Sequence, residues 1–195
     1  MGSRETILAT LRANRPDPAA HPLPPVAMLG DMDAGKARFE AALHLLGGQI
    51  LLPDEEGTLA SAIAKRFPDA NVICSAVPDF EGTIRLEDVA SPQQAAATDV
   101  LVVRSPFGIA EMGSIFLSEA QLNSLNSAAH LTQHIVVILS EQNLTANMHT
   151  AYAERPEFHT AHYGVLMSGP SATADIQGVL IRGAQGVRSL SVWWE

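Results

Sequence analysis

Two glycine-bearing segments hold the residues whose types and spacing could do chemistry. The first runs Gly169-Pro170-Ser171-Ala172-Thr173-Ala174-Asp175-Ile176, after the apolar run Val165-Leu166-Met167 and before a stretch that closes at Gly183. Local order predicts a strand, a tight turn and a helix from Thr173 to Arg182. Such a turn offers a small anion several backbone N–H groups, the Ser171 and Thr173 hydroxyls and the positive end of a helix dipole. Pro170 has no N–H to contribute but suits a first helical position. The same residues also make an ordinary capped helix start, with Ser171 or Thr173 as cap and Asp175 complementing the dipole.

The second segment is Pro106-Phe107-Gly108-Ile109-Ala110-Glu111-Met112-Gly113-Ser114. Glycines beside an acidic residue let a ligand approach the backbone closely and fix the direction of the carboxylate. Held in this way, Glu111 could attack an activated acyl group. It could equally be a structural acceptor satisfied by neighbouring backbone N–H groups. Gln185, in the turn Gly183-Ala184-Gln185-Gly186, falls near the same sheet edge. The expected ligand-binding set is therefore Gly108, Glu111, Gly113, Ser114, Gly169, Ser171, Thr173, Asp175 and Gln185, with Glu111 the candidate catalytic residue. The expected ligand is a small organic anion or a phosphate-bearing molecule.

Other patterns carry less. Gly30-Asp31-Met32-Asp33-Ala34-Gly35-Lys36-Ala37 has P-loop spacing, but Ala37 replaces the Mg²⁺-binding hydroxyl and two aspartates oppose phosphate. Asp33 there reads as a helix N-cap. The pairs His130/His134 and His159/His162 lack a carboxylate or Cys at ligand offset, so no metal site is expected. Serines and histidines are present, but nothing local pairs them into a nucleophilic triad.

The elements that must position these residues alternate. After a short helix that Ser3 would cap, with Ile7, Leu8 and Leu11 on one face, five prolines between Pro16 and Pro25 make a stiff connector. That helix is expected to pack on its own domain or on a second copy of the chain. The division expected is residues 1–25 as arm and 26–195 as body. Strands are predicted at Val26–Leu29, Ile50–Leu52, Val72–Cys74, Ile135–Leu139, Tyr163–Met167 and Leu190–Trp194. Helices are predicted at Ala34–Leu46, closed by Gly47-Gly48, and at Leu59–Phe67 and Asn143–Glu154. Val100–Val103 and Ser114–Leu117 are too close for a helical crossover and read as a hairpin. The fold class is thus α/β, an open, mixed and mostly parallel sheet with helices on both faces.

Composition bounds the rest. A formal charge of −9 without basic runs argues against nucleic-acid binding. No stretch approaches membrane-spanning length and no secretory apolar region opens the chain, so a soluble cytoplasmic protein is expected. Cys74 is the single cysteine, so the chain has no intrachain disulfide and cannot ligate an iron–sulfur centre alone.

Four segments also carry a resemblance. Gly108-Ile109-Ala110-Glu111-x-Gly113, His134-Ile135-Val136-Val137, Gly169-Pro170-Ser171-x-Thr173-Ala174-Asp175-Ile176 and Gly183-x-x-Gly186 occur in this order in the LUD-domain family. The opening Arg4-Glu5-Thr6-Ile7-Leu8 resembles the N-terminal helix of that family's lactate-utilisation group. The match is strongest from Asp99 onward. The resemblance implies an open α/β domain of the NagB/RpiA/CoA-transferase-like kind. It also implies a non-redox accessory role in oxidising L-lactate to pyruvate with iron–sulfur partner proteins, and no cofactor in this chain. The Glu111 loop resembles one bearing a nucleophilic Glu in CoA transferases of this fold, so acyl or CoA transfer is an alternative, and a ligand-free scaffold is another. Where the family usually has Thr, Arg, Glu and His, this chain has Met112, Ala172, Gln177 and Gln185. The lost Arg and His are groups suited to pairing an anion.

Overall fold

The computed structural model describes residues 2–17, 20, 33–174 and 178–195. Two compact units divide the chain, Met1–Asp31 and Met32–Glu195. In the first, helix α1 (Ser3–Ala13) buries none of its residues and leaves Ile7 and Leu11 60% and 64% exposed. Its N-cap is Gly2, not Ser3. Ser3 already has helical geometry, so its hydroxyl comes one position too late to cap. The strand expected at Val26–Leu29 lies outside the described residues.

In the second unit the elements are α2 (Lys36–Leu45), β1 (Gln49–Ile50), α3 (Leu59–Arg66), β2 (Ile73–Ser75), β3 (Ile84–Arg85), α4 (Pro92–Ala96) and β4 (Val100–Arg104). Then come β5 (Gly108–Ile109), β6 (Ser114–Ser118), α5 (Ala128–Leu131), β7 (His134–Leu139), β8 (Leu144–Thr145), α6 (Met148–Glu154) and α7 (Glu157–Thr160). The last strands are β9 (Gly164–Met167), β10 (Ala172–Ala174), β11 (Leu180–Arg182) and β12 (Ser189–Trp194).

Six strands pair in the order β1-β12-β7-β4-β2-β3, every pair parallel. Side chains alternate across this sheet, as a period of two requires. Val100, Val102, Val136 and Ile138 pack with Ala62, Ile63 and Phe67 of the α3 region on one face. Leu101, Val103, Ile135, Val137, Leu139 and Val192 pack with Phe39 and Leu43 of α2, Ala95 of α4 and Ala128 and Ala129 of α5 on the other. Helices therefore cover both faces. Local chemistry sets their ends. Thr58, Ser91 and Asn147 cap α3, α4 and α6 through side chains accepting from Ser61, Gln94 and Thr150 N–H groups. The N–H groups of Gly47 and Gly48 donate to the His44 and Leu43 carbonyls, the paired bonds of a Schellman stop on α2.

A second sheet, ordered β8-β5-β6-β9, stands apart from the first. Its Ile115 and Leu117 join the main core, whereas Phe116 turns the opposite way to Phe107, Ile109 and Ala151. The hairpin expected between Val100–Val103 and Ser114–Leu117 is thus corrected. β4 has β2 on one edge and β7 on the other, leaving no edge for β6, which pairs with β5 and β9 instead. The helix expected from Asn143 begins only at Met148, because Leu144 and Thr145 are drawn into pairing with β5.

At both ends of the helix expected over Thr173–Arg182, the described residues form strands instead. Ala172–Ala174 and Leu180–Arg182 pair antiparallel, with Thr173 opposite Ile181. β-branched Thr173, Val179 and Ile181 favour strands, and Gly178 supplies a left-handed turn residue between the runs. Asp175, Ile176 and Gln177 lie outside the described residues.

Cys74 is buried on β2, and burial pushes its thiol up to about 11. At pH 8 only about one such thiol in a thousand is ionised. The folded protein should therefore resist iodoacetamide at pH 8 and take up one label per chain after denaturation, read by mass spectrometry. Among the described residues no helix is long and apolar enough to cross a membrane.

Candidate functional site

The two glycine segments do meet, on the last turn of α2. A Cβ on Gly113 would stand 2.2 Å from the Leu43 nitrogen, and one on Gly169 would stand 2.6 Å from the Leu46 oxygen. The Ser114 and Ser168 hydroxyls bond to one another between them. A Cβ on Gly108 would stand 2.9–3.0 Å from the side chains of Leu144, Leu139 and Phe39, a looser fit than the other two. At Gly113 and Gly169 the nearest neighbour is the backbone of the end of α2. Here the missing side chains serve close packing of a helix on two loops.

The amides expected to hold an anion are also engaged. Ser171 N–H donates to the Val187 carbonyl, and the Ser171 carbonyl accepts from Gly183 N–H. Thr173 lies in the β10 ladder, opposite Ile181. Gln185 is exposed in the turn after β11, and Ser171 packs against neighbouring Gly186. Asp175 is outside the described residues. Glu111 is exposed on a rigid loop, with Ala110 and Glu111 N–H groups bonded to the Thr145 and Ala146 carbonyls. Asp33 is not the N-cap of α2; that residue is Gly35. The Asp33 carboxylate instead accepts from Gly35 N–H at 2.7 Å, taking an amide a phosphate would need.

The topology singles out another place. From β2 the chain moves to β3, toward one edge, while from β4 it moves to β7, toward the other. Neighbouring parallel strands that lead opposite ways open a crevice at their carboxyl ends. There a cleft of about 250 Å³ is lined by Ala76, Val77, Pro78, Arg104, Pro106 and Gln121, among others. Arg104 ends β4 and pairs with Asp79 at 2.7 Å and with Glu195 beyond β12. The Asp79 carboxyl is held below its ordinary value by its own backbone N–H first and by Arg104 second. Arg85 donates to the Val77 carbonyl at 2.6 Å and so braces the loop that carries Asp79. An incoming carboxylate would have to displace Asp79 or Glu195 from Arg104.

Beside it, a cleft of about 560 Å³ is lined by Ala34, Gly35, Ser140, Glu141, Gln142, Leu144 and Glu195. Leu144 pairs with Gly108, so the predicted loop backs onto this cleft without opening into it. Arg104, Asp79 and Glu195 were not singled out from sequence. The signal was an arginine closing a buried apolar strand, which needs a counter-charge. Among the described residues no group of three or more His, Cys, Asp or Glu is placed to hold a metal ion. His130 bonds Tyr163 and His134 bonds Ser189, so that pair faces apart.

A family model described as LUD domain matches residues 4–192. The fold is similar to a crystal structure of a DUF162 family protein from Deinococcus radiodurans, with a TM-score of 0.59 at 18% identity, covering 81% of this chain and 94% of that one. No curated protein matches the sequence.

Proposed function

Because the chain belongs to the LUD-domain family, we propose that it is a non-redox, ligand-binding component in the oxidation of L-lactate to pyruvate, similar to lactate utilisation protein C. The family match over residues 4–192 carries this reading. Iron–sulfur clusters need several thiolates, and this chain has only the buried Cys74. Electrons from lactate therefore pass to iron–sulfur centres on partner chains in the cytoplasm. The chain itself binds a small organic anion or a phosphate-bearing ligand and carries no cofactor. Affinity purification of the full chain from its native cells should recover iron–sulfur partners, and calorimetry should detect L-lactate or pyruvate. Failure of both would overturn the proposal.

A second reading rests on Glu111, whose carboxylate has no partner among the described residues and whose loop is held by backbone bonds to Thr145 and Ala146. Attack of that carboxylate on an acyl-CoA carbonyl would form a mixed anhydride and release CoA as its thiolate. Hydroxylamine should then trap an acyl-Glu111 adduct that vanishes in Glu111→Gln, and turnover surviving that substitution would rule the reading out. A third reading is a scaffold, supported by the uncovered Ile7 and Leu11 of α1. If α1 joins copies of the chain, deleting residues 2–15 should lower the mass seen by light scattering and leave the unfolding midpoint unchanged.

A further inference from the structure

The opposite, amino edge of the main sheet holds a cleft of about 490 Å³ that neither glycine segment nor the crevice beside Arg104 touches. The register places Val100, His134 and Ser189 side by side where β4, β7 and β12 begin. Arg66 and Phe67 close α3 above them, and Arg188 precedes β12.

The charges here are unusual for this chain. With 21 Asp and Glu against 12 Lys and Arg, an arginine readily finds a carboxylate, as Arg85 and Arg104 do. The Arg188 backbone N–H donates to the Gln133 carbonyl at 2.7 Å, but its guanidinium has neither a hydrogen bond nor an ion pair among the described residues. Arg66 donates to the neutral Gln49 side chain at 2.7 Å and lies over the Phe67 ring. Two carboxylates also line the cleft, Asp69 and Asp99. Asp99 is already committed, accepting from Asn71 and Val72 N–H groups at 2.8 and 2.9 Å.

His134 reports the balance. Its Nδ1 bonds the Ser189 hydroxyl at 2.8 Å and its ring rests 4.6 Å from that of Phe67, so the imidazole is fixed in place. Burial lowers its pKa first, and Arg188 and Arg66 lower it further, against a smaller opposing pull from Asp99. At the imidazole the two guanidiniums outweigh the Asp99 carboxylate. The Gln133 amide and Ser189 hydroxyl add neutral groups that can bond to oxygen.

We propose that this amino-edge cleft binds a small polyanion bearing phosphate or carboxylate groups, held by Arg66 and Arg188 with His134 at its base. This goes beyond the lactate reading and does not depend on it. Below the ordinary histidine range, protonation of His134 adds a third positive charge, so affinity for an anion of fixed charge should rise as pH falls through that lower range. By linkage the bound anion should raise the pKa of His134. Arg66, Asp69, Asp99 and Arg188 are the other charged groups lining the cleft, and the arginines keep their charge throughout that range.

Calorimetry and NMR titration of His134 in the full chain test this with inorganic pyrophosphate and citrate, each against chloride of equal ionic strength. Preference for pyrophosphate identifies a phosphate ligand, and preference for citrate a carboxylate. Arg188→Gln and Arg66→Gln should each weaken binding about tenfold, and the double variant should abolish it. The Arg188 side chain is exposed and without a partner among the described residues, so its replacement leaves the unfolding midpoint as a folding control. Unchanged affinity in the double variant, or no movement of the His134 titration beyond that with chloride, would overturn the proposal.

Discussion

Gly113→Ala is expected to cost about 3–5 kcal/mol, much of the stability of a domain of this size. A Cβ there would stand 2.2 Å from the Leu43 nitrogen and 2.5 Å from its Cα, backbone atoms inside a helix that cannot rotate aside. The backbone at Gly113 is also left-handed, with φ +57°. That conformation alone costs a non-glycine residue about 1–2 kcal/mol. Gly57 separates the two effects, having φ +70° and nothing within 4 Å of an added Cβ. Gly57→Ala should therefore lose only about 1 kcal/mol. Urea unfolding followed through Trp193 and Trp194 measures both. Equal losses in the two variants would mean that α2 does not rest on this loop.

Phe107→Ala should cost a comparable amount, about 3–5 kcal/mol. Phe107 is fully buried, stacks on Phe116 at 4.9 Å and meets Phe158 at 5.4 Å. The Arg155 guanidinium lies over the Phe107 ring at 5.3 Å and donates to the Asn143 carbonyl. Truncation empties the small core beneath the second sheet and leaves the main core intact. Amide exchange should accordingly quicken in β6 and β9 more than in β4 and β7. Phe107→Leu keeps most of the volume and should lose far less. Uniform acceleration across both sheets would show that they unfold as one.

Much of the parallel sheet is legible from residue order. Ile135–Leu139 is apolar throughout because both of its faces are covered, and the helix expected at Leu59–Phe67 forms as α3. What escapes is partner choice. Val100–Val103 and Ser114–Leu117 are both strands, yet nothing local says that β4 has no free edge. Ser105 settles where the chain leaves the sheet, since its hydroxyl bonds the Phe107 and Phe116 carbonyls. The glycine segments were read as approaches for a ligand, and Gly113 and Gly169 do mark close approaches. Glycine reports that something comes near, but only the fold tells whether it is a substrate or Leu43. Arg66 and Arg188 lie far apart along the chain and meet only because α3 ends where β12 begins.

The order of the sheet also constrains its assembly. β12 is inserted between β1 and β7, and among the described residues it is the sole neighbour of β1. It also emerges from the ribosome after every other strand of that sheet. A nascent chain carrying β1 to β7 therefore has an open slot along β7 and a stranded β1 with its ladder groups unmet. Until Ser189–Trp194 arrives, that slot invites any extended segment nearby, so the interval before its release is when this chain most needs a chaperone's protection.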